Sequence, residues 1–216
     1  MSQDATDFQH LDICVIDPGM GNLRSVCRSW ERAGARVRLA ERAEAIGEPH
    51  ALVFPGQGGM KNLMAELRER GFDAALHDWI TADRPYFGIC LGLQALFEYA
   101  EESNGPGLAI LSGKVPRFQL APEFKIPHMG WNAVELRQPN ALRGGPASGD
   151  QFYFVHSYFA QPADPNLVWM ETSYGGTRYC SAIRRGNCFA TQFHPEKSQA
   201  KGQDLLRAFL AYVTSR

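Results

Sequence analysis

The stretch FGICLGLQ, residues 87–94, places Cys90 between two glycines at the point where an apolar strand meets a helical pattern. Gly88 and Gly92 permit a sharp turn and a close approach of strand to helix, which is the geometry of a nucleophile elbow. A helix N-terminus favours negative charge, so a thiol at this joint is suited to act as a thiolate. This stretch alone leaves open the alternative of a buried structural cysteine.

A cysteine nucleophile needs a base, and His194, in TQFHPE, has the best context of the six histidines. It closes an apolar strand, and Pro195 biases it towards extended backbone. Residues i and i+2 of an extended segment face the same side, so Glu196 would orient the imidazole and stabilise its charged form. The pattern predicts a Cys90–His194–Glu196 triad. One alternative is a strand-ending histidine followed by a solvated glutamate. Another is a metal site of Cys90 and two histidines, although the sequence lacks the paired short spacing of metal ligands.

Two glycine-rich loops follow other predicted strands and should meet Cys90 at one edge of a sheet. LDICVID (11–17) runs into the loop 18–22, and ALVFPG (51–56) runs into Gln57-Gly58-Gly59. Open α/β sheets bind ligands at the carboxyl ends of their strands. Neither loop has a dinucleotide fingerprint or a P-loop, so we expect exposed backbone N–H groups near Cys90 to hold an oxyanion.

The first hundred residues contain three strand–loop–helix units, a pattern typical of a parallel α/β sheet. Runs in the second half suggest antiparallel strands that extend this sheet, before a final helix. We expect one mixed α/β domain over residues 11–216, after a disordered tail over residues 1–10. The predicted helices are Leu23–Ala33, helical patterning within 60–83, Gln94–Glu102 and Ser198–Thr214.

The chain has 216 residues, with 44% hydrophobic and 21% charged residues and a formal net charge of −1. These values describe a soluble protein and offer no electrostatic case for binding nucleic acid or an anionic membrane. The odd number of cysteines fits a reducing cytoplasm better than a disulfide framework. The polar N-terminus does not resemble a signal peptide, and no apolar run reaches the ~18 residues of a membrane span, so we expect a cytoplasmic protein.

GICLGLQ and FHPEK together resemble the class I, triad-type glutamine amidotransferase family, and PGMGN, PGQG, PHMGWN and FVHSY extend the resemblance over about residues 11–214. The resemblance implies a flavodoxin-like open mixed sheet with flanking helices, no cofactor and no metal. It implies that Cys90 is the nucleophile, that His194 is the base and acid, and that Glu196 orients His194. The residues that it implies for the oxyanion hole are Gly56, Gln57, Gly58 and Leu91, and those that hold glutamine are Gln94, His156, Ser157 and Tyr158.

Within the family, the motifs are most similar to those of glutaminase subunits in histidine biosynthesis. This likeness implies a heterodimer in which ammonia passes through a channel to a (β/α)₈ cyclase. The likeness implies that segments 18–22 and 128–132 face the partner, together with Lys197. The implied interface residues are Pro18, Asn22, Trp131 and Lys197. His128 and His156 are then structural or interface residues rather than catalytic ones.

Two residues depart from the family pattern, and three other functions stay open. Pro18 stands where an aromatic residue is common, and Gln57 stands where a small aliphatic residue is usual. The alternatives are a paralogous glutaminase that supplies a sugar-amidating synthase of surface-polysaccharide assembly, a cysteine peptidase or thiol hydrolase, and a catalytically silent regulatory subunit.

Overall fold

The computed structural model describes residues 8–216, which form fourteen strands and five α-helices. The strands are β1 (Asp12–Ile16), β2 (Arg36–Ala40), β3 (Ala51–Gly56), β4 (Tyr86–Cys90), β5 (Phe97–Ala100), β6 (Gly105–Pro106), β7 (Leu111–Val115), β8 (His128–Ala133), β9 (Glu135–Leu136), β10 (Gln151–His156), β11 (Gln161–Pro162), β12 (Val168–Tyr174), β13 (Thr177–Arg185) and β14 (Cys188–Thr191). The helices are α1 (Leu23–Ala33), α2 (Met60–Glu69), α3 (Phe72–Thr81), α4 (Leu91–Gln94) and α5 (Gln199–Thr214), with 3₁₀ turns at Ala43–Ala45, Pro165–Leu167 and Pro195–Lys197. Within this range no helix combines the length and the apolar character needed to cross a membrane.

Eight strands form the central sheet, in the order β2-β1-β3-β4-β14-β13-β12-β9. The first five are parallel to one another, and β13, β12 and β9 continue the sheet with antiparallel pairing. With β14 in fifth place, the parallel part has the 2-1-3-4-5 order of flavodoxin-like sheets. The predicted flavodoxin-like mixed sheet is confirmed, and the carboxyl ends of β1, β3, β4 and β14 meet at one edge.

The two faces of the central sheet bury separate hydrophobic clusters. Ile13 and Val15 of β1 belong to the cluster covered by α1 and α5, whereas Cys14 and Ile16 belong to the cluster covered by α2 and α3. This alternation follows from the two-residue period of a strand. Burial on both faces explains why the parallel strands are continuous apolar runs in the sequence.

The helix predicted over Gln94–Glu102 is wrong. Helix α4 ends at Gln94, and Phe97–Ala100 is strand β5 of a second sheet, whose order is β11-β7-β5-β6. Strand β5 runs parallel to β7, and the carbonyl oxygen of Leu96 accepts the N–H of Leu111. Hydrogen bonds to a later strand override the helical spacing of this short stretch, because local propensity is a weak preference.

The prediction that the second-half strands extend the main sheet in antiparallel fashion is wrong for several of them. Strands β8 and β10 form a two-stranded sheet of their own, and β7 and β11 belong to the second sheet. Strand β14 is inserted beside β4 and is parallel to it. A parallel pairing between strands distant in the chain leaves no local signal, and here it carries TQFHPE to the edge where Cys90 lies.

The tail predicted over residues 1–10 falls mostly outside the described residues, which begin at Phe8. Phe8 is buried in the cluster under α1 and α5, and its carbonyl oxygen accepts the N–H of Leu11. Phe8 therefore packs against the domain, and the predicted tail ahead of it stays a prediction.

Candidate active site

Cys90 lies in a strained turn between β4 and α4. Its φ of 56° and ψ of −106° fall in a region that residues with a side chain rarely adopt. A Cβ atom on Gly92 would lie 1.9 Å from the carbonyl oxygen of Phe54, and one on Gly88 would lie 2.7 Å from the carbonyl oxygen of Gly92. The sharp strand-to-helix turn that the two glycines predicted is present.

His194 follows β14 and is held beside this turn by its backbone. Its N–H donates to the carbonyl oxygen of Tyr153 at 2.9 Å, and its own carbonyl oxygen accepts the hydroxyl of Ser198 at 2.7 Å. Nδ1 of the His194 ring lies 2.8 Å from Oε1 of Glu196. Both side chains are almost fully buried, at 3% and 2% exposure. The contact predicted between residues 194 and 196 is therefore formed.

The second ring nitrogen of His194, Nε2, is oriented towards the thiol of Cys90. Among the described residues it has no hydrogen-bond partner of good geometry, although Cys90 is close enough to act on its charge. Burial alone would lower the pKa of His194, but the charges of Cys90 and Glu196 outweigh this effect and raise it to about 10. The imidazole thus carries a proton at neutral pH, which is the form that can protonate a leaving group.

A cavity of about 200 Å³ lies in front of Cys90. Its wall consists of Gly58, Cys90, Leu91, Gln94, Glu102, Pro127, Val155, His156, Ser157 and Tyr158. The structure thus brings all four predicted glutamine-holding residues to the predicted nucleophile. Glu102 is an addition that sequence reasoning missed, because residues 94–102 were interpreted as a helix. Its Oε2 accepts the N–H of Met60 at 3.0 Å, at the start of α2.

Gln192 is a second residue that sequence reasoning missed. Its Nε2 donates to Sγ of Cys90 at 3.6 Å, and its Oε1 accepts Nε2 of Gln94 at 2.9 Å. Nε2 of Gln94 also donates to the carbonyl oxygen of Tyr158 at 2.8 Å, which leaves Oε1 of Gln94 without a partner in residues 8–216. The available signal was the two-residue spacing between Gln192 and His194, which places both side chains on one side of extended backbone.

The predicted oxyanion loop, Gly56-Gln57-Gly58, ends β3 against the elbow. A Cβ atom on Gly56 would lie 2.3 Å from Cβ of Leu91, so only glycine fits at this contact. Oε1 of Gln57 accepts the backbone N–H of Asn22 at 3.0 Å. The unusual residue of the loop therefore connects it to the neighbouring loop 18–22.

The residues predicted to face a partner differ in exposure. Asn22, Trp131 and Lys197 are exposed, whereas Pro18 is buried. Trp131 and Lys197 flank the same ring: the Trp131 and Tyr153 centroids are 6.2 Å apart, and Nζ of Lys197 lies 5.9 Å from the Tyr153 ring. Strand β8 and the segment after His194 therefore share one surface.

The other two histidines near the cavity are joined through one hydroxyl group. Nδ1 of His128 and Nε2 of His156 lie 3.0 Å and 3.2 Å from Oη of Tyr179, and Nδ1 of His156 lies 2.7 Å from the carbonyl oxygen of Tyr158. Burial lowers the pKa of His128 to about 4 and that of His156 to about 3. Both rings are neutral at pH 7, and their structural role stays a prediction.

All five cysteines are free thiols. Burial raises the pKa of Cys188 to about 12 and that of Cys180 further, and it also raises the pKa values of Cys14 and Cys27. Of the thiols, only Cys90 lines the cavity. No group of three or more His, Cys, Asp or Glu side chains in the described range is placed to hold a metal ion.

Comparisons with known proteins identify the family of this chain and support its fold. The family model described as "Glutamine amidotransferase class-I" matches residues 14–213. The imidazole glycerol phosphate synthase subunit HisH of Rhodopirellula baltica is 46% identical over 198 residues, which cover 91% of this chain and 96% of the relative. The protein of the same name from Thermosynechococcus vestitus is 47% identical over 203 residues, covering 93% and 97%. A solved structure described as a glutamine amidotransferase aligns with a TM-score of 0.71 at 19% identity, covering 93% of this chain and 98% of that chain, and supports the fold.

Proposed function

The chain belongs to the class-I glutamine amidotransferase family, and from that premise we propose that Cys90, His194 and Glu196 hydrolyse the side-chain amide of glutamine to glutamate and ammonia. Relatives at about this level of identity are named imidazole glycerol phosphate synthase subunit HisH. The chain accordingly supplies ammonia for histidine biosynthesis. The observation that carries the residue assignment is the buried His194–Glu196 pair, whose free ring nitrogen is oriented towards Cys90.

The reaction has two halves. The Cys90 thiolate attacks the amide carbon of glutamine, and the carbonyl electrons move to oxygen, which the backbone N–H groups of Leu91 and of the loop Gly56–Gly58 stabilise. As the C–N bond breaks, Nε2–H of His194 protonates the nitrogen, and ammonia leaves a thioester behind. Neutral His194 then takes a proton from water, and the hydroxide attacks the thioester carbon. The C–S bond breaks, which releases glutamate and restores the thiolate.

The cavity suits a free amino acid. At about 200 Å³ it has room for a small molecule rather than for an extended peptide. The carboxylate of Glu102 and Oε1 of Gln94 are acceptors for an α-ammonium group. The hydroxyl of Ser157 is a donor for an α-carboxylate. The cavity thus offers partners for both the α-ammonium and the α-carboxylate group of glutamine, and it places the side-chain amide beside Cys90.

The released ammonia requires a protected route, because in neutral water it takes up a proton and loses its nucleophilicity. We assign the surface of Asn22, Trp131 and Lys197 to contact with a (β/α)₈ cyclase in a heterodimer. That subunit would make imidazole glycerol phosphate and an aminoimidazole carboxamide ribonucleotide. Pro18 is buried and would support its loop rather than touch the partner.

The alternative functions are less well supported. The relatives that carry the HisH name are 42–47% identical, which does not favour the polysaccharide paralogue. The small cavity disfavours a peptidase, and the intact His194–Glu196 contact disfavours a catalytically silent subunit.

The direct test is Cys90→Ser, measured in the complex with the cyclase. We expect glutamine-dependent synthesis to be abolished and ammonia-dependent synthesis to be retained, because the acceptor site would lie on the other chain. Cys27→Ser is the matched control, since Cys27 is a free thiol on α1 that does not line the cavity. Persistent glutaminase activity of Cys90→Ser would disprove the assignment of the nucleophile.

Control by the partner would act on the oxyanion loop. Glycines on both sides of Gln57 let its peptide planes rotate at little steric cost, and loss of one oxyanion donor typically lowers the rate by ~10²–10³. We therefore expect the isolated chain to be a poor glutaminase. Glutamine hydrolysis is measured for the chain alone, with cyclase, and with cyclase plus nucleotide ligand. Rates that agree within about twofold would show that the site is preformed.

A further inference from the structure

We propose that Gln192 stabilises the thiolate of Cys90 by donating a hydrogen bond to its sulfur, and that Gln94 fixes the orientation in which Gln192 does so. This inference rests on the proposed function, because it adds a thiolate-stabilising residue to the same site. It assigns to Gln94 a role in ordering the nucleophile, besides its expected contact with glutamine.

The orientation of the Gln192 amide follows from its neighbours. An amide side chain presents either an NH₂ group or an oxygen, and its hydrogen-bond partners decide which. The carbonyl oxygen of Tyr158 can only accept, so the Gln94 atom 2.8 Å from it is the nitrogen of the NH₂ group. The other hydrogen of that group points at Gln192, 2.9 Å away, which must present its oxygen there. The NH₂ group of Gln192 is thereby directed at Sγ of Cys90, 3.6 Å away.

Burial strengthens this contact. Gln192 is 0% exposed and Gln94 is 3% exposed, so water does not compete for either amide. The backbone N–H of Gln192 donates to the carbonyl oxygen of Ser181 at 2.8 Å, which anchors the residue in the sheet. A hydrogen bond to a charged acceptor is about twice as strong as a neutral one. Gln192 thus offers the sulfur an uncharged donor, separate from the charged His194 ring that acts on the same thiol.

The experiment measures how fast iodoacetamide alkylates Cys90 in the full chain as a function of pH, by mass spectrometry with peptide mapping. The variants are Gln192→Met, which keeps the length of the side chain, and Gln192→Leu, which has a different shape. Loss of a donor to a charged group should move the midpoint of the pH profile upwards by about 1–2 pH units. Gln94→Leu leaves Gln192 in place but frees its amide to turn, so it should give a smaller shift in the same direction.

Thr191→Val is the matched control. Thr191 is buried at the end of β14, directly before Gln192, and its hydroxyl donates to the carbonyl oxygen of Phe193 at 2.9 Å. The pH midpoint of Cys90 alkylation in Thr191→Val should equal that of the wild type. A general loosening of β14 would instead shift this midpoint as much as Gln192→Met does.

Folding of each variant is checked by near-ultraviolet circular dichroism. A wild-type midpoint in either folded Gln192 variant, or an equal shift in Thr191→Val, would overturn the proposal. If neither Gln192 variant folds, Gln94→Leu decides, and an unchanged midpoint there would overturn it. The probe is iodoacetamide, so the result does not depend on whether the wild-type complex hydrolyses glutamine, which tests the proposed function separately.

Discussion

Replacing Glu196 with glutamine tests how the base is activated, because the change keeps the shape of the side chain and removes its charge. Oε1 of Glu196 lies 2.8 Å from Nδ1 of His194, and both side chains are buried. A hydrogen bond to a charged group contributes about 1.5–3 kcal/mol, so loss of the charge alone corresponds to about 10–160-fold in the protonated form of His194. The new amide can also donate to Nδ1 and hold the ring in the wrong tautomer, an effect that reaches about 10⁴ in kcat for serine triads. We expect Glu196→Gln to lower glutamine hydrolysis by roughly 10²–10⁴.

The assay is steady-state release of glutamate by the complex with the cyclase, with ammonia-dependent synthesis measured in parallel. Glu171→Gln is the matched control, because Glu171 is a partly buried carboxylate, 23% exposed, that pairs with Arg137 and Arg178 and does not line the cavity. This control should keep both activities. A decrease of less than about threefold for Glu196→Gln, with ammonia-dependent synthesis intact, would refute the role given to the carboxylate.

Three further predictions concern thiol reactivity, packing and acid stability. Near neutral pH, a thiol-alkylating glutamine analogue should label Cys90 and spare Cys188, whose pKa burial raises to about 12; equal labelling in peptide mapping would contradict this. Gly92→Ala should lower the free energy of unfolding by about 1–3 kcal/mol or prevent folding, because its Cβ would lie 1.9 Å from the carbonyl oxygen of Phe54; a wild-type melting temperature would count against the close contact. Burial lowers the pKa of His128 from 6.5 to about 4, so the unfolded chain binds more protons between these values and stability is lost as the pH falls through them. His128→Phe should reduce the loss of unfolding free energy between pH 6.5 and pH 4 by up to roughly 3 kcal/mol, measured by chemical denaturation at both pH values. An unchanged pH dependence of the unfolding free energy would show that His128 does not cause this loss.

The parts of the site that were predictable from the sequence depend on short-range geometry. The Gly-Cys-Gly spacing predicted the turn at Cys90, because steric limits around Gly88 and Gly92 act between neighbouring residues. The contact between His194 and Glu196 was predictable from the two-residue period of extended backbone. A parallel sheet in the first half of the chain was also predictable, since three strand–loop–helix units favour this architecture.

The parts that were missed depend on pairing between distant segments. Strand β5 forms because β7 lies beside it, and nothing within Phe97–Ala100 distinguishes that strand from a short amphipathic helix. Glu102 reaches the cavity only because the helix predicted over 94–102 does not form. Gln192 meets Cys90 because β14 is parallel to β4, a pairing that the local pattern could not specify. The site predicted from the sequence therefore lacked the side chains whose positions depend on tertiary strand pairing.

The hydroxyl of Tyr179 sets the direction of the hydrogen bonds that join His128, Tyr179 and His156. Nδ1–H of His156 donates to the carbonyl oxygen of Tyr158, because that oxygen can only accept. Nε2 of His156 therefore accepts a hydrogen bond from the hydroxyl of Tyr179. The oxygen of that hydroxyl in turn accepts Nδ1–H of His128. Every hydrogen in this row points the same way, and a proton added to Nε2 of His156 would remove the acceptor of the Tyr179 hydroxyl. The wall is thus a poor acid at neutral pH. Among the described histidines around the cavity, only His194 has a proton to give, so ammonia released beside His156 keeps the lone pair that its next reaction needs.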